Sequence, residues 1–176
     1  IGIFDSGVGG LSVLRHIRAQ LPQEDLIYFA DSAYAPYGDK TEEQVITRSL
    51  AITAFLLQQG AKALVVACNT ATIAAIKALR ARYPDLPIVG VEPGLKPAAS
   101  ISRNGKIAVL ATERALRGDK LLALREQVSA ATGATFILQP CIGLADRIEQ
   151  CELGTDPQDA TSAMLDKGSF APLMAT

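Results

Sequence analysis

The sequence has 176 residues, enough for one ordinary domain or two small ones. Hydrophobic residues make up 49% and charged residues 20%, which calls for a packed core and excludes a disordered chain. A net charge of −1 argues against the basic stripe of a nucleic-acid binder, and the longest apolar run, 63–68, is far too short to cross a bilayer.

A strand is predicted at 1–4, followed by the glycine-rich Asp5-Ser6-Gly7-Val8-Gly9-Gly10. A helix follows at 11–21, with Leu11, Leu14, Ile17 and Leu21 on one face. His16, the only histidine, points away from that face and reads as a solvated residue, so a cysteine–histidine pair is set aside. The second strand, 26–30, runs into Asp31-Ser32-Ala33-Tyr34-Ala35-Pro36-Tyr37-Gly38. Thr41-Glu42-Glu43-Gln44 is a capping box opening a helix at 42–59. The third strand, 63–67, is the most apolar and ends at Cys68-Asn69, before a helix at 70–83. A fourth strand is predicted at 88–91. Glu92-Pro93-Gly94-Leu95-Lys96-Pro97 then breaks the pattern and marks a boundary between domains 1–92 and 93–176. Strand 106–111, helix 114–131, strand 135–138 and helices at 142–152 and 159–165 complete the reading. Strands alternating with helices predict an α/β fold of parallel-sheet βα units, the second domain incomplete. The chain opens without Met and closes on Phe170-Ala171-Pro172-Leu173-Met174, so a longer natural polypeptide is expected.

In an open parallel sheet, ligands bind outside the carboxyl ends of the strands. Three segments fall there. Asp5–Gly10 reads equally as a capped βα turn or as an anion-binding loop before a helix N-terminus. It lacks the third glycine of GxGxxG and the P-loop lysine. The tyrosine-bearing loop 31–38 reads as a surface turn or as a cover over a small substrate. Cys68 reads as core filler or as a reactive thiol with its pKa lowered by the following helix. Asn69 and Thr70 bring polar groups to the same edge and favour the second reading. Cys68, Cys141 and Cys151 are an odd set without CxxC spacing, which argues against disulfides and zinc and fits a reducing cytoplasm. Cys141, which also follows a strand, reads by position as a second reactive thiol or, the favoured reading, as a half-buried structural cysteine at a helix start; Cys151 reads as structural.

At these residues the sequence resembles the glutamate racemases. Asp5-Ser6-Gly7-Val8-Gly9-Gly10-Leu11 resembles that family's opening motif, and Ala35-Pro36-Tyr37-Gly38 its second substrate loop. Val65-Val66-Ala67-Cys68-Asn69-Thr70-Ala71 resembles the stretch around its first catalytic cysteine, and Gly90-Val91-Glu92-Pro93 the end of its first domain. The resemblance implies two similar domains with the active site between them, each giving one cysteine. One thiolate removes the α-proton, and the other thiol returns a proton on the opposite face. It implies that Cys68 and Asp5 serve the chemistry. It also implies that Asp5, Ser6, Pro36, Tyr37, Gly38, Asn69 and Thr70 hold glutamate. Glu149 falls where the family has an acid supporting its second site. No cofactor, metal, nucleic acid or membrane is implied, a homodimer is left open, and the product D-glutamate feeds bacterial peptidoglycan. The family's Gly-Cys-Thr-His stretch, which bears its second cysteine, is absent from these residues, so the chain alone is expected to be inactive. Ala115 stands where the family tends to place a second threonine after Ala111-Thr112. A related aspartate or hydantoin racemase, and a non-catalytic amino-acid- or phosphate-binding α/β domain, remain as alternatives.

Overall fold

Residues 1–150 are described in a computed structural model. The chain folds as alternating strands and helices, as the periodicity predicts. In order these are β1 (Gly2–Asp5), α1 (Leu11–Gln20), β2 (Ile27–Ala30), α2 (Glu42–Gln58), β3 (Leu64–Val66), α3 (Asn69–Arg82), β4 (Ile88–Gly90) and α4 (Leu95–Ile101). Then come β5 (Lys106–Ala111), α5 (Glu113–Arg117), α6 (Asp119–Thr132), β6 (Thr135–Pro140) and α7 (Leu144–Gln150). Residues 1–142 form one compact unit, and 143–176 form another, of which α7 is the described element.

The first unit carries two parallel sheets. One has the order β2-β1-β3-β4, and the other pairs β5 with β6. In the first sheet Asp5 lies beside Ala30, and Phe4 beside Val66, so the ends of β1, β2 and β3 are level. Three bonds carry this level past the strands: the Asp31, Ala67 and Val91 amides donate to the Asp5, Phe4 and Val66 carbonyls. The loops that follow therefore open along one edge.

The main core lies between this sheet and α2 and α3. The helix α2 presents Val45, Ser49, Ile52, Thr53 and Leu56 inward, a stripe of helical spacing. The helix α3 answers with Ala71, Ala75, Ile76 and Leu79, and its alanines let the two helices approach closely. Burying each such Leu, Ile or Val contributes about 1.5–3 kcal/mol. A second cluster gathers Leu95, Leu116, Leu121, Val128 and Phe136, with Ile107 and Val109 packed against it. The opposite face of β5 and β6 exposes Leu110 and Ile137.

Two expectations need correction. Pro97 sits inside α4 instead of breaking the chain, because it occupies the first turn, where backbone amides have no helical acceptor. The helix expected over 114–131 is two helices, parted at Gly118, whose extended backbone (φ −69°, ψ 129°) ends α5 and starts α6. The expected capping box is present: Gln44 N–H donates to Thr41 Oγ1 at 3.2 Å, and Thr41 N–H to Gln44 Oε1 at 2.9 Å. The segment 159–165 and Cys151 lie outside the described residues.

Candidate active site

The Asp5–Gly10 loop is tied by its own first residue. Asp5, buried at the end of β1, accepts from the amides of Gly7 (3.3 Å) and Gly10 (2.9 Å) through Oδ2. The Tyr28 hydroxyl on β2 donates to the Gly7 carbonyl at 2.6 Å. Gly10 is required by close approach: a Cβ there would lie 2.7 Å from Asp5 Cβ and 3.0 Å from Ala67 Cβ. This packing holds the first loop against the end of β3, where Cys68 begins.

Cys68 caps α3, which starts one residue earlier than expected, at Asn69. Its Sγ accepts from the Ala71 amide at 3.5 Å and donates to Ser6 Oγ at 3.6 Å. The first and third loops thus meet at the thiol. The lowered pKa expected for a thiol before a helix does not appear. Burial pushes the Cys68 thiol up to about 11, and the Asp5 carboxylate adds to the rise. The Ala71 amide and Ser6 oppose it and are outweighed. The resting group is the neutral thiol.

The second loop is built on Asp31. Its carboxylate, 3% exposed, accepts from the Tyr37 hydroxyl at 2.6 Å. It also accepts from Arg48 Nε at 3.0 Å and Arg48 Nη2 at 2.5 Å. The Arg48 guanidinium lies 3.8 Å from the centre of the Tyr34 ring. Tyr37 packs in the core cluster that holds Cys68. Its phenol is driven well above the ordinary range by burial and by Asp31, which accepts its hydrogen bond. Pro36 follows a cis peptide bond.

The edge is closed from the second sheet. Thr112, next after β5, places Oγ1 3.2 Å from Thr70 Oγ1 and caps α5 by accepting from the Ala115 amide. Gly38 lies so near that a Cβ on it would stand 2.9 Å from Thr112 Cβ. Ser6 is half-buried, Thr70 is buried, and Asn69 is exposed at the head of α3. Asp5, Ser6, Cys68 and Thr70, with Tyr37 and Gly38, thus lie along one edge. Glu149 falls within α7, its side chain outside the described set. Cys141 follows β6 and donates weakly to the Gln139 carbonyl, 3.7 Å away. His16 is exposed, its ring bonded to the Ser12 carbonyl at 2.8 Å.

Sequence reasoning did not single out Asp31, Arg48 or Thr112. Thr112 had a readable signal, a strand end followed by a helix-capping threonine. Arg48 had none, because it meets Asp31 only through the packing of α2.

Comparison with known proteins bears on the family of the chain. Residues 1–166 match the Asp/Glu/Hydantoin racemase family. The chain is 51% identical over 174 residues to the glutamate racemase of Pseudomonas aeruginosa, covering 99% of this chain and 63% of that protein. It is 52% identical over 175 residues to that of Ectopseudomonas mendocina, covering 99% of this chain and 64% of the relative. The chain thus spans just under two thirds of these relatives. Among solved structures it resembles Escherichia coli glutamate racemase in complex with L-glutamate and the activator UDP-MurNAc-ala. The TM-score is 0.82 at 34% identity, over 94% of this chain and 63% of that one. It also resembles a glutamate racemase isoform of Bacillus anthracis, with a TM-score of 0.76 at 31% identity, over 99% of this chain and 64% of that one. The chain belongs to the Asp/Glu/Hydantoin racemase family.

Proposed function

We propose that this chain is the N-terminal portion of a cofactor-independent glutamate racemase, with domains at 1–92 and 93–176, and that Cys68 is one of its two acid/base groups. The observation that carries the reading is the buried thiol of Cys68 at the end of β3, bonded to Ser6 and within the field of Asp5. Its chemical meaning is direct. A neutral thiol is the proton donor for one enantiomer. As a thiolate it is the base for the other, taking the α-proton as the Cα–H bond breaks and the S–H bond forms. A substrate ammonium beside Asp5 would offset the carboxylate that disfavours the thiolate. Ser6, Asn69 and Thr70, with the loop 36–38, supply donors for the substrate carboxylates, where fixed dipoles stabilise developing charge. The second proton is returned from the opposite face by a group outside the set described. In this reading the enzyme works in the cytoplasm and supplies D-glutamate to peptidoglycan. Dimerisation is left to sedimentation.

Exchange of the α-proton with deuterium oxide, followed by NMR for D- and L-glutamate separately, tests the assignment without needing both bases. Exchange of at least one enantiomer is expected, and Cys68→Ala should lower it by about 10²–10⁴-fold. Near-normal exchange in folded Cys68→Ala refutes the role of Cys68. Faster exchange of aspartate than of glutamate would move the substrate to the family's other branch.

A further inference from the structure

We propose that Asp31 and Arg48 are positioning residues of this site: they hold Tyr37, and through it the loop 36–38, against the Cys68 edge. The argument starts from burial. Asp31 is 3% exposed and Tyr37 is 2% exposed, so neither polar group can turn to water. A buried carboxylate is tolerated only when paired and hydrogen-bonded. Arg48 supplies that pairing through two nitrogens, one to each carboxylate oxygen. The fork geometry fixes the direction of the carboxylate as well as its charge. Oδ2, which accepts from Arg48 Nε, also accepts the hydrogen bond of the Tyr37 hydroxyl.

The chain of contacts then runs outward. Tyr37 is followed by Gly38, which rests on Thr112, and Thr112 meets Thr70. The Asp31 amide is itself bonded to the Asp5 carbonyl, so the pair is anchored to the strand that carries Asp5. Tyr34 covers the outer side of the Arg48 guanidinium. Loosening Arg48 would therefore release the loop from the site without touching a group that meets substrate.

The inference rests on the racemase reading only for the identity of the ligand, so the test has two readouts. The variants are Arg48→Met, Arg48→Lys and Tyr37→Phe. Tyr37→Phe removes the Tyr37 hydroxyl bond to Asp31 while leaving the ion pair whole; because Tyr37 is itself read as a substrate contact, its alkylation rate and not its KM decides the matter if Arg48→Met fails to fold. The first readout is glutamate α-proton exchange. KM should rise about tenfold in Arg48→Met and Tyr37→Phe while kcat falls far less, with part of the loss restored in Arg48→Lys. The second is the rate of Cys68 alkylation by iodoacetamide, located by peptide mass, which should rise about tenfold as Tyr37 loosens beside the buried thiol. A pair serving stability alone would lower the melting temperature and leave KM and alkylation unchanged, and that result overturns the proposal. If the wild-type chain exchanges neither enantiomer, the glutamate reading fails by itself. The alkylation rates then decide the positioning role: faster in the variants supports it, and unchanged overturns it.

Discussion

Gly10→Ala tests the packing that joins Asp5 to the end of β3. The added methyl would lie 2.7 Å from Asp5 Cβ, 2.7 Å from the Tyr28 hydroxyl oxygen and 3.0 Å from Ala67 Cβ. Carbon atoms in contact sit about 3.5–4.0 Å apart, so close to 1 Å of overlap must be relieved on more than one side. Two of the three neighbours are Cβ atoms fixed to backbone, and no rotamer change moves them. The backbone at Gly10 (φ −66°, ψ −10°) suits alanine, so the whole cost comes from contact. Overpacking of this kind costs about 1–3 kcal/mol. At about 2–4 °C per kcal/mol for a chain of this size, the melting temperature should fall by roughly 2–12 °C. The Gly10 N–H bond to Asp5, now 2.9 Å, should lengthen as well. Gly9→Ala is the control, since a methyl there meets only Asp5 Oδ2, at an ordinary 3.4 Å. Thermal unfolding followed by circular dichroism compares the two. A Gly10→Ala melt no lower than that of Gly9→Ala would refute the close approach and the fixed position it gives Asp5.

Other outcomes follow from the same geometry. Alkylation of Cys68 should climb with pH towards a midpoint near 11, and Asp5→Asn should lower that midpoint by removing the neighbouring anion; a wild-type midpoint near the ordinary ~8.5 would contradict the burial argument. Because the fold favours the neutral thiol, its contribution to stability is fully present below the unfolded thiol value and is lost as pH rises towards about 11. Chemical denaturation of wild type and Cys68→Ala across that range should show the wild type losing stability faster; parallel curves would contradict it. Thr41→Ala removes the side-chain acceptor for Gln44 N–H and should cost about 0.5–2 kcal/mol in urea unfolding, and no loss would mean that the capping box contributes nothing.

The parts of this molecule that follow from local rules could be read from its sequence. The strand at Lys106–Ala111 alternates inward Ile107 and Val109 with outward Ala108 and Leu110, and its bounds match the expectation. The capping box fixes where α2 starts. Rules of punctuation failed where position inside an element mattered more than residue type. Pro97 lies in a first turn, and Gly118 parts two helices that share one periodic pattern. At the site, the three loops were legible because strand ends in a parallel sheet bring them together. The thiol's acidity was not, because the burial of Cys68 and the nearness of Asp5 outweigh the helix end. Arg48 lies 17 residues from Asp31 in sequence, and only the seating of α2 on the sheet brings them together.

Gly38 resting on Thr112 makes one hydrogen atom the spacer between the loop after β2 and the loop after β5. The gap at the site edge is therefore set by a residue with no side chain of its own, and it can be widened in graded steps. Alanine, serine and valine at that position would act as shims of increasing thickness, prising Thr112 from Thr70 while leaving Cys68, Ser6 and Asp5 in place. Such a series would turn the separation of the two loops into an adjustable quantity, against which the reactivity of Cys68 could be calibrated.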